Sequence, residues 1–217
     1  MLSFRALVGP LAIIGAGVLL QGQAPPSAAD LARRVQARYS TVRDFTAQFT
    51  LTQTNSLTRM TAVDRGRVAV KKPGRMRWVT ETGSKNEIVA DGSEVYSYLP
   101  KDRLVRVAPL PKIDERGSAA LLLLTGGGDL TRDFDLAPTV EAPAGEWHLT
   151  VMPRTKPADF AALTLQVDRV SLRLLGLAIV DEQENIRTFR FAGLRENEGI
   201  PDATFVFTIP PSAEVRR

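Results

Sequence analysis

Two hydrophobic periods divide the chain. Leu31, Val35, Tyr39 and Val42 recur at helical intervals with Arg33, Arg34, Gln36, Arg38 and Arg43 between them, which predicts an amphipathic helix over 29–43, capped by Ser27 or Asp30. From Phe45 the period falls to two. Phe45, Ala47, Phe49 and Leu51 alternate with Thr46, Gln48, Thr50 and Thr52, the signature of a strand buried on one face. Similar runs follow over 63–70, 75–80, 86–90, 93–99 and 103–108, with Lys72-Pro73-Gly74, Asp91-Gly92 and Pro100-Lys101-Asp102 as turn chemistry between them. The rhythm then breaks: 109–112 reads as extended, and 117–125 reads as a short helix stopped by Gly126, Gly127 and Gly128. Strands resume over 132–136, 147–152, 161–167, 173–180, 186–194 and 203–209.

No long helix separates successive strands, so the sheet is expected to be antiparallel, and a sheet of this size is expected to curl into a full or partial barrel. The class is mainly β (α+β). Residues 6–20 form an apolar run behind Arg5 that is short for a bilayer span, and Ser27-Ala28-Ala29 offers small residues for cleavage before Asp30; a cut after Ala24 competes. A signal peptide over 1–29 and one exported domain over 30–217 are therefore expected. The chain has no cysteine, which removes disulfides, thiol nucleophiles, zinc–cysteine sites and lipidation on cysteine. An exported chain without a lipid anchor points to the periplasm.

Net charge is only +4, and the cations alternate with Asp, Glu and Thr, which argues against a nucleic-acid partner. His148 is the single histidine, so the common zinc ligand sets cannot be assembled. Gly126-Gly127-Gly128-Asp129 lacks the Gly-Lys-Ser/Thr element of a phosphate loop, and neither Asp133 with Asp135 nor Asp181 with Glu182 and Glu184 has calcium-loop spacing. No nucleophile, base and orienter stand together, so neither enzyme activity, a metal nor a cofactor is expected. Two apolar strips are unusual: the Met76 and Trp78 strand, and Leu121 to Leu124, which is apolar all round where a surface helix would show a polar face. Ordinary core packing is one reading of them. The other is a sheet curled round an apolar cavity with short helices as a lid.

Residues 66–100 read GRVAVKKPGRMRWVTETGSKNEIVADGSEVYSYLP, with Gly66, Lys71, Pro73, Trp78, Asp91, Gly92, Tyr98 and Pro100 at fixed spacings. This pattern resembles that of the LolA family of periplasmic outer-membrane lipoprotein carriers. LTLQVD at 163–168, FRFAGLREN at 189–197 and FVFTIPP at 205–211 are similar too. The resemblance implies an incomplete, strongly curved antiparallel barrel of about eleven strands, its hydrophobic concavity covered by a helical lid. It also implies a non-enzymatic, monomeric carrier that takes acylated lipoproteins from an ATP-driven inner-membrane transporter toward an outer-membrane acceptor. Such cargo needs a shield, because exposing one acyl chain of about fifteen methylenes costs on the order of 12 kcal/mol. A lipid or glycolipid shuttle, or a sensor domain of the same fold, is the alternative. Carried over by position, Met76, Trp78, Ile88, Ala90 and Tyr96 line the acyl cavity, and Leu31, Val35, Leu121, Leu122 and Leu124 form the underside of the lid. Lys72 stands where the family usually has the arginine that closes the lid onto backbone carbonyls, and Tyr96 where tryptophan is usual.

Overall fold

A computed structural model describes residues 26–110, 124, 128–137, 142–154 and 160–217. Helix α1 (Ala28–Ser40) begins where the Ser27 side chain accepts the Asp30 N–H at 3.1 Å, and it ends at Thr41, whose N–H turns back to the carbonyls of Arg38 and Tyr39. Twelve strands follow: β1 (Asp44–Thr54), β2 (Thr61–Lys71), β3 (Arg75–Thr80), β4 (Glu87–Asp91), β5 (Glu94–Leu99), β6 (Leu104–Pro109), β7 (Phe134–Leu136), β8 (Glu146–Pro153), β9 (Ala162–Asp168), β10 (Leu174–Val180), β11 (Ile186–Glu196) and β12 (Glu214–Arg216). They form one open sheet in the order β12-β6-β5-β4-β3-β2-β1-β11-β10-β9-β8-β7. Two meanders, β2 to β6 and β7 to β11, therefore meet at β1, which pairs antiparallel with β2 on one side and β11 on the other.

One face of this sheet closes on itself. Phe45, Phe49 and Leu51 of β1, Val68 and Val70 of β2, Met76 of β3 and Ala90 of β4 share a continuous core with Leu149 and Val151 of β8 and with Leu163, Leu165 and Val167 of β9. Strands lie about 4.8 Å apart, so β4 and β8 would be more than 30 Å apart in a flat sheet; curvature is what brings their side chains into one core. α1 lies in that concavity with Leu31 and Ala32 fully buried and Val35 nearly so, because its apolar residues fall on one helical stripe. Bulges sharpen the bend. The β1–β11 register shifts between Thr46 and Gln48, opposite Gly193 at φ 61°, and the β9–β10 register shifts between Leu174 and Gly176.

Two sequence expectations need correction. The strand expected over 203–209 is absent: Asp202–Phe205 is a 3-10 turn, and the closing strand is β12, which pairs parallel with β6 in an otherwise antiparallel sheet. Pro201, Pro210 and Pro211 cannot donate to a ladder, and the Thr204 and Val206 carbonyls accept from Arg77 Nη1 instead, at 3.0 and 3.4 Å. The strand expected to begin at 132 begins at Phe134, because the Asp129 carboxylate holds the N–H groups of Thr131 and Arg132 in a turn. The sheet has twelve strands, in keeping with the twelve runs read from periodicity and the about eleven that the resemblance implies, with the short β12 on the β6 edge in place of 203–209. Residues 1–25 of the expected signal segment, and Leu121 and Leu122, lie outside the described residues. Ser27, the cap of α1, stands on the signal side of the cut expected before Asp30, whereas a cut after Ala24 retains it.

Candidate functional site

The concave floor is built by register. Met76 lies opposite Val70 and Ala90, and Trp78 opposite Val68 and Ile88, so strand parity puts Met76, Trp78, Ile88 and Ala90 on the face that α1 covers. Four of the expected cavity residues are thus brought together. Tyr96 is not among them. It lies opposite Val89, one residue out of phase with Ala90, and stacks on Phe207 at 5.3 Å on the convex face, beneath the C-terminal segment.

Phe49, Phe189 and Phe191 complete the floor, and they were visible in the sequence only as alternating strand positions. The Trp78 ring stands 4.7 Å from Phe49, 4.9 Å from Phe189 and 6.2 Å from Phe191, with edge-on or tilted geometry throughout. This cluster straddles the β1–β11 junction, where Phe49 faces Phe191 and Leu51 faces Phe189. Gly66 makes the stack possible, because a Cβ there would come within 2.5 Å of the Phe49 ring and 2.0 Å of the Val79 carbonyl. Trp78, Ile88 and Phe191 remain half-buried, while Met76 and Ala90 are buried.

α1 packs over part of the concave face, with Leu31, Ala32 and Val35 in one core with the floor. Beneath it Val35, Tyr39, Leu130, Leu165 and Leu174 line a cavity of about 30 Å³, roughly one water and well below the ~150 Å³ that accommodates benzene. This cavity is too small for an acyl chain while Val35 and Tyr39 of α1 line it.

Among the described residues, the polar contacts between α1 and the rest of the fold begin at Gln36, whose Oε1 accepts the Leu130 N–H at 3.2 Å, and gather toward its C-terminal end. Lys72 Nζ donates to the Tyr39 carbonyl at 2.5 Å and sits 3.5 Å from the centre of the Tyr39 ring. Desolvation lowers the Lys72 pKa to about 8. Tyr39 Oη donates to the Leu124 carbonyl at 2.6 Å, and burial pushes this phenol far above its usual range. Leu124, described alone from its stretch, is helical, buried and part of the core. Arg38 pairs with Glu196 of β11, and Asn197 spans the helix–strand junction by accepting the Arg43 N–H at 2.7 Å and donating to the Thr41 carbonyl at 3.2 Å. Tyr39 had been read from the sequence only as a position on the apolar stripe of the helix; its partners are distant in sequence and left no local signal.

The sequence model of the family described as outer membrane lipoprotein carrier protein LolA matches residues 40–208. The outer-membrane lipoprotein carrier protein of Pseudomonas entomophila is 30% identical over 155 residues, covering 69% of this chain and 70% of its own. That of Chromobacterium violaceum is 26% identical over 203 residues, covering 94% and 95%. Among solved structures, an uncharacterized conserved protein from Thermus thermophilus superposes with a TM-score of 0.52 at 19% identity, over 88% of this chain and 98% of that one, which shows a shared fold.

Proposed function

The chain belongs to the LolA family of outer membrane lipoprotein carrier proteins, and from that premise we propose that it carries the acyl chains of lipoproteins through the periplasm inside the concavity that α1 covers when cargo is absent. The observation that supports this most directly is the match between lid and floor. An apolar stripe of α1 shares one core with the apolar, aromatic floor, and the polar contacts described gather toward the C-terminal half of the helix. Cargo and α1 compete for one surface, so acyl chains displace the helix and the returning helix expels them; only such differential binding can drive loading and release. Met76, Trp78, Ile88 and Ala90, with Phe49, Phe189 and Phe191, are the acyl contacts in this reading. Leu31 and Val35 are the underside of the lid, and Lys72 is the clamp that favours the closed form, in the role an arginine fork usually takes.

The chain performs no chemistry in this reading. It is exported behind its amino-terminal segment, receives lipoproteins as a monomer from an ATP-driven inner-membrane transporter, and passes them to an outer-membrane acceptor. The test is mass spectrometry of what co-purifies from the periplasm without detergent, for wild type and for Ile88→Glu, which puts an unpaired charge on the floor at a half-buried position. Acylated lipoproteins held by wild type and lost from the variant are expected. Phospholipid or glycolipid in their place would turn the assignment to a lipid shuttle or sensor, and a protein that takes up neither would overturn it. Lys72→Leu is expected to load at least as well as wild type and to release cargo poorly.

A further inference from the structure

Large apolar side chains exposed to solvent are unevenly distributed. Of nine among the described residues, four gather at one end of the sheet: Leu57 at 90% exposure, Met60 at 73%, Val63 at 53% and Ile186 at 41%. Leu57 and Met60 sit in the turn between β1 and β2, and Ile186 opens β11 beside it. The turn is firmly built. Asn55 Oδ1 accepts the N–H groups of Leu57 and Thr58 at 3.1 and 2.9 Å, Asn55 Nδ2 donates to Asn185 Oδ1 at 3.1 Å, and Ser56 Oγ donates to the Gln183 carbonyl at 2.6 Å. Two neighbouring turns are thereby laced into one apex that holds Leu57 and Met60 outward.

The register shows what stands behind the apex. Val63 lies opposite Thr52 and Ile186 opposite Thr54, so both are on the convex face. One strand period further back on that face, Arg65 and Arg190 flank Thr50 on either side, and Arg67 follows after another period. Arg190 is paired with Glu146 and Arg67 with Glu81, while Arg59 in the turn and Arg65 make no ion pair among the described residues. The acidic groups nearby are Asp181, which is engaged by the N–H groups of Gln183 and Asn185, and the exposed Glu182 and Glu184 on the flank of the apex. Arg59 stands in the turn itself, whereas Arg65 lies about 7 Å behind Val63 and about 17 Å of strand behind Met60. An apolar tip entering the boundary between headgroups and acyl chains by about 5–10 Å would therefore put Arg59 at the headgroups and leave the long Arg65 side chain to reach forward to them.

We propose that this apex is a membrane-contacting surface whose partner is a phospholipid bilayer bearing anionic headgroups, with Leu57 and Met60 inserted and Arg59 and Arg65 on the phosphates. The geometry suits a reversible visitor, because two side chains give a weak hold that a shuttle can break. The apex is the far end of β1 from the α1 junction at Asp44, so contact there leaves the α1 junction free. This goes beyond acyl carriage and stands on separate residues.

The purified protein is sedimented with phosphatidylcholine vesicles with and without phosphatidylglycerol. Wild type is expected to partition onto both and more strongly onto the anionic ones. Leu57→Asp with Met60→Asp is expected to lower partitioning at least about tenfold, and Arg65→Glu only on anionic vesicles, while Val206→Asp, a control at an exposed apolar site elsewhere, leaves it unchanged. Leu57→Trp reports insertion independently by a blue shift of its emission on vesicles. Uptake of a soluble fluorescent fatty acid should persist in the double aspartate variant, which separates this surface from the concavity. Absence of wild-type partitioning, unaltered partitioning of the double variant, no shift at Trp in place of Leu57, or loss of fatty-acid uptake together with vesicle binding would each overturn the proposal. So would a photocrosslinker at position 57 that captures a protein and no lipid.

Discussion

Leu31→Ala separates two ways in which α1 can serve the cavity. If cargo and helix compete, the apparent dissociation constant is the intrinsic one divided by the fraction of molecules whose concavity is open. Lifting α1 exposes Leu31, Ala32 and Val35, fully or nearly buried now, at about 1.5–3 kcal/mol for each larger side chain, or roughly 4–7 kcal/mol together. A chain of fifteen methylenes gains on the order of 12 kcal/mol on burial, enough to displace the helix, whereas a chain of about seven gains roughly 6 kcal/mol and only breaks even. Truncating Leu31 removes at least about 2 kcal/mol from the closed form, which converts to roughly thirtyfold tighter apparent binding while the closed form still dominates. Displacement of a fluorescent fatty acid by saturated acids of increasing length measures both effects. The expected results are a steep onset of affinity between about seven and fifteen methylenes in wild type, and an onset shifted to shorter chains in Leu31→Ala, with a lower melting temperature. Weaker binding by Leu31→Ala would refute the competition argument, because it would mean that Leu31 touches the cargo and leaves the floor only with it.

Three further outcomes are expected. Burial lowers the Lys72 pKa from 10.5 to about 8, so if opening returns Lys72 to solvent, the closed form binds fewer protons than the open form between about pH 8 and 10; closure therefore strengthens as pH rises through that window, and acyl affinity should fall there in titrations of wild type but stay level in Lys72→Leu. Gly66→Ala should lower stability by about 2–4 kcal/mol in urea unfolding, because its Cβ would collide with the Phe49 ring and the Val79 carbonyl. Asp44→Ala should cost about 1–3 kcal/mol by the same measurement, since the buried carboxylate accepts the N–H groups of Glu198 and Gly199 at 2.9 and 3.1 Å, and both donors would lose it.

Strand existence was legible wherever burial was one-sided. In Phe45 to Leu51 a buried residue alternates with a more exposed one, and the alternation alone gave the strand and its inward face. Tyr96 shows the limit of that logic. An aromatic residue in an amphipathic strand fits either face, and only the pairing of Val89 with Tyr96 reveals that the C-terminal segment provides a second apolar layer on the convex side. The same segment misled the reading of 203–209: Phe205, Phe207 and Ile209 alternate like a strand, yet the buried Phe205 packs within a 3-10 turn rather than in a ladder. The resemblance put Lys72 at the position of the family's lid-closing arginine, and in the fold its Nζ donates to the Tyr39 carbonyl. Its companion at Tyr39 was not expected, because the partner carbonyl lies at Leu124, 85 positions away. Long-range hydrogen bonds leave no periodic trace.

The place of β1 in the sheet bears on how the protein matures. β2 to β6 and β7 to β11 are chains of neighbouring hairpins whose pairings close short loops, whereas β1 and β11 must find each other across nearly the whole described chain, Phe45 opposite Glu196. Closing so long a loop carries the greatest entropic cost and makes this junction a slow step in folding. The aromatic floor straddles it: Phe49 and Trp78 come from one side, Phe189 and Phe191 from the other. A newly made chain therefore has no complete apolar hollow until that late union has formed, so whatever the hollow receives must wait for the finished fold.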